Sequence, residues 1–323
     1  MINYSTERLS YTAYFVFNWV RNAFNILMGK IGFKIRVKPF IDLKAALTID
    51  ETHSRIKEII LSGKPAMIAR FGGNEARCTA EAIGIELGAR KKFRPKTLRY
   101  MHINAGLFPA GEEMSMRFAQ ICKEAAQEVD LLGYWGSFMQ DYLINHICPA
   151  EMELTFLEDL EAYNSSSPWT AALEGKKVLV IHPFKASIEA QYKRREHLFQ
   201  NPNVLPEFEL KVLKAVQTIA GEEDGRFADW EEALLYMYEE AIKIDFDVAI
   251  IGCGAYGMPL AAKLKKAGKI AIHLGGATQL MFGIKGARWD NHKTSRFYNS
   301  YWVRPLPEET PQKSKLIESA CYW

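Results

Sequence analysis

Between residues 47 and 304 short apolar runs alternate with longer stretches in which apolar positions recur at a helical period, the pattern of strands separated by helices. Ala66–Arg70, Asp130–Tyr134, Lys177–His182, Val248–Ile251 and Ile270–Leu274 are nearly all apolar, which predicts strands buried on both faces of a parallel sheet. Glu209–Lys214 suggests a further strand, against the helix propensity of its Glu, Leu and Lys. Helices are expected from Asp50, as cap, to Leu61, where Ser62-Gly63-Lys64-Pro65 stops it, and from Asn74 to about Leu87. Others are expected from Gly111 to Val129, from Gly136 to Cys148, from Ser187, and from Asp229, again a cap, to Lys243. Arg90–Arg99 reads as a basic, solvated linker, Asn164–Pro168 as a loop and Gly221–Gly225 as an acidic loop. The predicted fold is α/β and Rossmann-like, a mostly parallel sheet flanked by helices over residues 47–304. A helical segment, 1–46, precedes it, and a Pro- and Glu-containing tail, 305–323, looks non-core, with Cys321-Tyr322-Trp323 able to dock back.

The first segment differs from the rest. Tyr11–Met28 is aromatic and helical in period, with Asn18, Arg21, Asn22 and Asn25 on one face and Phe15, Phe17, Trp19, Val20, Phe24 and Met28 opposite. It is too polar to span a bilayer. Residues 1–40 carry Arg8, Arg21, Lys30, Lys34, Arg36 and Lys38 against Glu7 alone, so the basic character of a chain with net charge +3 is local to this end. Two readings stay open: an interfacial helix on an anionic inner leaflet, or a helix packed on its own domain or on a second subunit of a homo-oligomer. The modest net charge gives no field that points to nucleic acid. Cys78, Cys122, Cys148, Cys253 and Cys321 are scattered without CxxC spacing and read as reduced. With no cleavable signal pattern, the expected location is cytoplasmic, peripheral to the inner membrane if the first helix lies on lipid.

The most informative stretch is Val248–Gly276. An apolar strand meets Gly252, Gly254, Tyr256 and Gly257, then a helical pattern over Met258–Ala267 and a second strand, which together make one βαβ unit. Gly252 and Gly254 allow a tight turn and close backbone approach, Gly257 lets the helix sit near the strand, and the helix N-terminus offers N–H groups to a phosphate or diphosphate. A turn without a ligand remains the plainer alternative. NAD is disfavoured, because the second strand ends His273-Leu274-Gly275-Gly276 with no acid to hold a ribose.

Other polar groups gather at predicted strand ends. Arg70 could pair with phosphate, Asn74 hydrogen-bond a sugar hydroxyl, and Glu75 ligate a metal or act as a base, with helix capping by Asn74 and Glu75 as the alternative. His182 sits at the end of its strand, suited to a donor contact or to a structural hydrogen bond. Gly275 and Gly276 lead a second helix start followed by Gln279, Lys285, Arg288, Trp289 and Asp290, where the cations would offset phosphate charge and the indole stack on a ring.

Ile68-Ala-Arg-Phe-Gly-Gly-Asn-Glu75 and Asp247-Val-Ala-Ile-Ile-Gly-Cys-Gly-Ala-Tyr-Gly-Met-Pro-Leu-Ala261, in this order and at this spacing, resemble the motifs of the bacterial glycosyltransferases called GT-D, over roughly residues 47–292. The resemblance implies a Rossmann-like domain, a nucleotide-diphosphate sugar donor, a surface-polysaccharide, lipid-linked glycan or glycoprotein acceptor, and a divalent Mg or Mn held by an Asp-x-Glu motif. Aligned on Arg-Phe-Gly, the Glu falls on Glu75 but the Asp falls on Gly73. One carboxylate is a poor site for such a cation unless donor phosphates or another acid, Asp290 being the nearest candidate, complete it. Two other function classes stay open: another nucleotide-dependent Rossmann enzyme such as an oxidoreductase, and a catalytically silent nucleotide-binding or scaffold protein.

Overall fold

The computed structural model describes residues 4–32, 37–317 and 320–323, so Lys34 and Arg36 of the basic flank lie outside the described residues. Seven strands form one sheet: β1 (Ala66–Arg70), β2 (Leu131–Tyr134), β3 (Glu153–Phe156), β4 (Lys177–His182), β5 (Glu209–Lys214), β6 (Val248–Ile251) and β7 (Ile270–His273). Their order is β3-β2-β1-β7-β6-β4-β5, and every neighbouring pair is parallel. The fold is the expected α/β, Rossmann-like one. Successive residues of the central strands feed opposite cores, Met67, Ala69, Ile181 and Ile251 on one side and Ile68, Val180, Ile250 and Ile272 on the other. That double burial is why these strands read as unbroken apolar runs. The two edge strands carry weaker signals for the same reason: β5 buries only Val212, and β3, which the pattern does not predict, is four residues long with its ends open.

Most helices stand where the period puts them, with three differences. α1 (Tyr4–Lys30) begins before the predicted Tyr11. α2 (Ile49–Ser62) is capped by Thr48 rather than Asp50, because Thr48 and Glu51 form a reciprocal capping box. After α3 (Gly73–Glu86), the expected basic linker turns helical at Pro95, which occupies the first turn of α4 (Pro95–Ile103), where a missing N–H costs nothing. α5 (Glu112–Ala126), α6 (Gln140–His146), α7 (Lys185–Tyr192), α8 (Trp230–Ile242), α9 (Gly257–Lys266) and the short α10 (Ala277–Met281) complete the set. Asp229 caps α8 as predicted, accepting from the Glu232 N–H.

α1 and the described part of the 305–323 tail are built into the body. α1 docks through its polar seam: Asn18 and Arg21 are buried, Asn18 donates to Asp141 at 2.8 Å and Arg21 to the Gly136 carbonyl at 3.3 Å. Phe15, Phe17, Phe24 and Met28 flank the seam half-buried, while Trp19 and Val20 face outward. At the other end Glu309 is buried and its carboxylate accepts from the Ala186 and Ser187 N–H groups, closing the first turn of α7. Composition makes 305–323 look non-core; what it conceals is this carboxylate with dedicated donors, and Ile317 and Cys321 buried beside it.

Candidate functional site

The carboxyl ends of β1, β4, β6 and β7 open on a cavity of about 330 Å³. Of the residues singled out in the sequence, Arg70, Asn74, Glu75, His182, Gly252, Gly254, Tyr256, Gly275, Gly276, Gln279 and Arg288 line it. Gly257, Lys285 and Asp290 do not. Lys285 lies over the Tyr298 ring, 5.3 Å from its centroid, and Asp290 accepts from Arg304 at 2.6 Å, so neither faces the cavity floor. Asp290 therefore does not complete a cation site with Glu75.

At the end of β1 the chain turns through Phe71 and Gly72 into α3, with Glu75 in the first turn. The Glu75 carboxylate folds back over Gly72 into the space a side chain there would fill, so glycine at 72 is what lets it lie at the helix N-terminus. Arg70 bends across the same turn, donating to the Phe71 carbonyl at 3.2 Å, with its guanidinium 5.5 Å from the Trp135 ring. Burial pushes the Arg70 pKa down, with Arg288 lowering it too, while Tyr322 and Glu75 oppose the shift. Trp135 donates its indole N–H to the same Phe71 carbonyl at 2.9 Å and lies over Gly73, where an added Cβ would come 3.1 Å from the ring. The position that the resemblance gives to an Asp is thus covered by an indole.

The turn after β6 is packed differently. A side chain at Gly252 would run into Thr278, the Gly275 carbonyl and His182, and one at Gly257 into the His273 ring. Both glycines are required by the protein's own packing. Gly254 is the exception: its φ is +59°, in the left-handed region, and nothing lies within 4 Å of an added Cβ, so its backbone is open to the cavity. Tyr256 forms the floor, stacked on Trp230 at 4.8 Å with its hydroxyl bonded to Thr218 at 2.8 Å.

Two histidines stand beside this turn, and burial pushes the pKa of each down to about 3. The His182 Nδ1 accepts from the Phe184 N–H at 3.0 Å, and the His273 Nδ1 lies 3.3 Å from the Ile251 carbonyl, to which it donates. Both rings are therefore neutral near pH 7. Gln279 spends its amide on the carbonyls of Ile284, Lys285 and Tyr322, pinning the tail. Arg288 donates to the Tyr322 hydroxyl at 3.2 Å and lies 4.7 Å from that ring's centroid, so the docked tail aims the guanidinium.

A second cavity of about 320 Å³ meets the first at Arg70, Trp135, Gly276 and Arg288, and adds Glu158, Glu161, Trp289 and His292. Burial pushes the Glu161 carboxyl up to about 7, against a hydrogen bond from Asn164 that lowers it. Glu161 and Trp135 were not singled out in the sequence, and His273 and Tyr322 were noted there only as a strand end and as part of a tail able to dock back. Glu161 lies in an irregular acidic stretch without period, and only folding brings Trp135 and Tyr322, far apart in sequence, to the cavity that Arg70 lines.

Among the described residues no group of three or more His, Cys, Asp or Glu could hold a metal ion. Among the described residues Glu75 is the one acid lining the main cavity. With Trp135 over Gly73, these residues do not fit a divalent cation held by protein carboxylates.

No family model and no curated protein matches the chain. Two solved structures are similar to it: one described as "The highly conserved domain of unknown function 1792 has a distinct glycosyltransferase fold", the other as a selenomethionine-substituted structure of domain of unknown function 1792. Each is 14% identical over 82% of this chain and 92% of the other, with TM-scores of 0.44 and 0.43. Likeness of that size decides nothing about activity, and the fold class rests on the strand order itself.

Proposed function

We propose that the protein is a glycosyltransferase that moves a sugar from a nucleotide-diphosphate donor to a hydroxyl of a polysaccharide, lipid-linked glycan or glycoprotein. The observation that carries this reading is that Arg70 and Arg288 line one cavity in which Glu75 is the one acid among the described lining residues. A diphosphate offers both guanidiniums the oxygens they bind best. The first turns of α3 and α9 open on the same space and add their dipoles, and Gly254 lets phosphate oxygens approach the backbone.

In the transfer the acceptor oxygen attacks the anomeric carbon, the bond from that carbon to the diphosphate oxygen breaks, and the electron pair leaves with the diphosphate, where Arg70 and Arg288 meet the charge. The acceptor proton passes to a carboxylate. Glu75 lines the main cavity and Glu161 the adjoining one, which meets it at Arg70 and Arg288. Cations and helix dipoles do the neutralising here, so turnover is expected to survive EDTA.

The test is a thermal-shift panel of UDP-, GDP-, dTDP- and CMP-sugars, followed by donor hydrolysis. Diphosphate donors should raise the melting temperature and CMP-sugars, with one phosphate, should not. Stabilisation by none of them, or a reduced-nicotinamide fluorescence titration that saturates, would overturn the reading in favour of a scaffold or an oxidoreductase.

A further inference from the structure

α1 is inverted relative to an ordinary surface helix. Its buried side chains are Tyr11, Asn18 and Arg21, and its outward face carries Leu9, Val16, Trp19, Val20, Ile26 and Leu27, with Leu9 71%, Trp19 60% and Ile26 61% exposed. At about 100° per residue these six cover an arc of roughly 120°. The buried seam explains the inversion: the Asp141 carboxylate, itself buried, accepts from Asn18, from the Tyr142 N–H and from the Phe40 N–H. Turning the helix to hide Trp19 would take the Asn18 amide and the Arg21 guanidinium, 4.0 Å away, from that buried carboxylate and leave it with its two backbone donors alone.

Two occupants could cover such a face, a second copy of this chain or a lipid surface, and width and charge separate them. A two-helix seam uses a strip two positions in seven wide, with charged neighbours that fix the partner. Here the neighbouring positions are Trp19 and Ile26, so the apolar arc is too broad for one facing helix. The charge is one-sided as well. Arg8 at one end and Lys30 and Lys38 at the other are exposed, and residues 1–40 hold six basic side chains against one acid. Two such helices laid together would set cation against cation, whereas an anionic bilayer surface satisfies both the charge and the apolar arc. Among the described residues no helix is long and apolar enough to cross a membrane. We infer that α1 is a monotopic anchor, lying in the headgroup region of an anionic lipid surface with Leu9, Val16, Trp19, Val20, Ile26 and Leu27 toward the acyl chains.

The inference does not depend on the transferase reading, and its test needs no substrate. The full chain is sedimented with phosphatidylcholine vesicles and with vesicles containing roughly 30 mol% phosphatidylglycerol, at low and high salt, while tryptophan emission is followed. The expected result is co-sedimentation and a blue shift with the anionic vesicles, weaker at high salt, and little binding to the neutral ones. Val16→Glu/Val20→Glu, at two exposed positions, should abolish binding at an unchanged melting temperature, and Trp19→Ala should remove most of the blue shift. Equal binding to both vesicle types, undiminished binding by the folded double variant, or a lipid-independent dimer that the double variant dissociates would each overturn the inference. Should the double variant fail to fold, the salt and lipid dependence of the unaltered chain still decides.

Discussion

After β1 the chain turns through Phe71-Gly72-Gly73 into α3, and after β6 through Gly252-Cys253-Gly254 into α9. As sequence the two turns look alike, an apolar strand, glycines and a helix, yet they are built on different physics. At the first, glycine makes room for charge: Gly72 admits the Glu75 carboxylate, and Arg70 and Trp135 close around it. At the second, glycine makes room for neutral rings, His182 against Gly252 and His273 against Gly257, and only Gly254 faces open space. A glycine pattern reports close approach without saying what approaches. At four of the five glycines, 72, 73, 252 and 257, what approaches is one of the protein's own side chains.

The sharpest way to break the comparison is at the charged turn. Glu75→Gln should lower kcat on the order of 10²-fold or more while leaving the melting temperature nearly unchanged, measured on the donor the panel identifies. A purely structural carboxylate gives the reverse, a loss of about 0.3–1 kcal/mol of stability with turnover intact. At the neutral turn the same logic inverts. Gly257→Ala drives a methyl into the His273 ring and should cost about 1–3 kcal/mol in chemical denaturation, whatever the ligand. Gly254→Ala meets no neighbour but holds a left-handed residue, at about 1–2 kcal/mol, and its methyl should weaken nucleotide binding as well. Equal ligand affinity in folded Gly254→Ala and unaltered protein would remove the donor from this turn.

The neutral turn and the adjoining cavity answer to pH with opposite signs. His182 and His273, held near 3, stay neutral in the fold but charge when unfolded near 6.5, so their contribution is present above about pH 6.5 and is lost as pH falls toward 3. Glu161, held near 7, works the other way: its contribution is present below about pH 4.5 and is lost as pH rises toward 7. Thermal melts from pH 4 to 8 should show the histidine slope dominating on the acid side, and Glu161→Gln should flatten the small loss on the neutral side.

The sheet was legible because double burial writes a strand as an apolar run, and the two strands that lack it, β3 and β5, were respectively missed and weakly marked. The cluster at Arg70–Glu75 was legible because site residues of open α/β sheets gather at carboxyl ends of strands. The far wall was not. Trp135 follows β2 and Tyr322 lies 34 residues after Arg288, and neither has a local pattern that places it at the cavity that Arg70 lines. α1 was legible as two-faced, but which face turns inward is decided by the Asp141 carboxylate, more than a hundred residues away.

That carboxylate has a neighbour with a consequence of its own. Arg21 donates to the carbonyl of Gly136, and the preceding residue is Trp135, whose indole N–H is tied to Phe71 in the wall of the cleft. α1 and the cavity are thus two hydrogen bonds apart, joined through the backbone of Trp135 and Gly136. Where one peptide answers to two ligands, linkage requires their effects to be mutual: a surface that tightened nucleotide binding about tenfold would itself be held about tenfold more tightly by the nucleotide-loaded protein. Residence on the surface and occupancy of the cleft then become a single equilibrium.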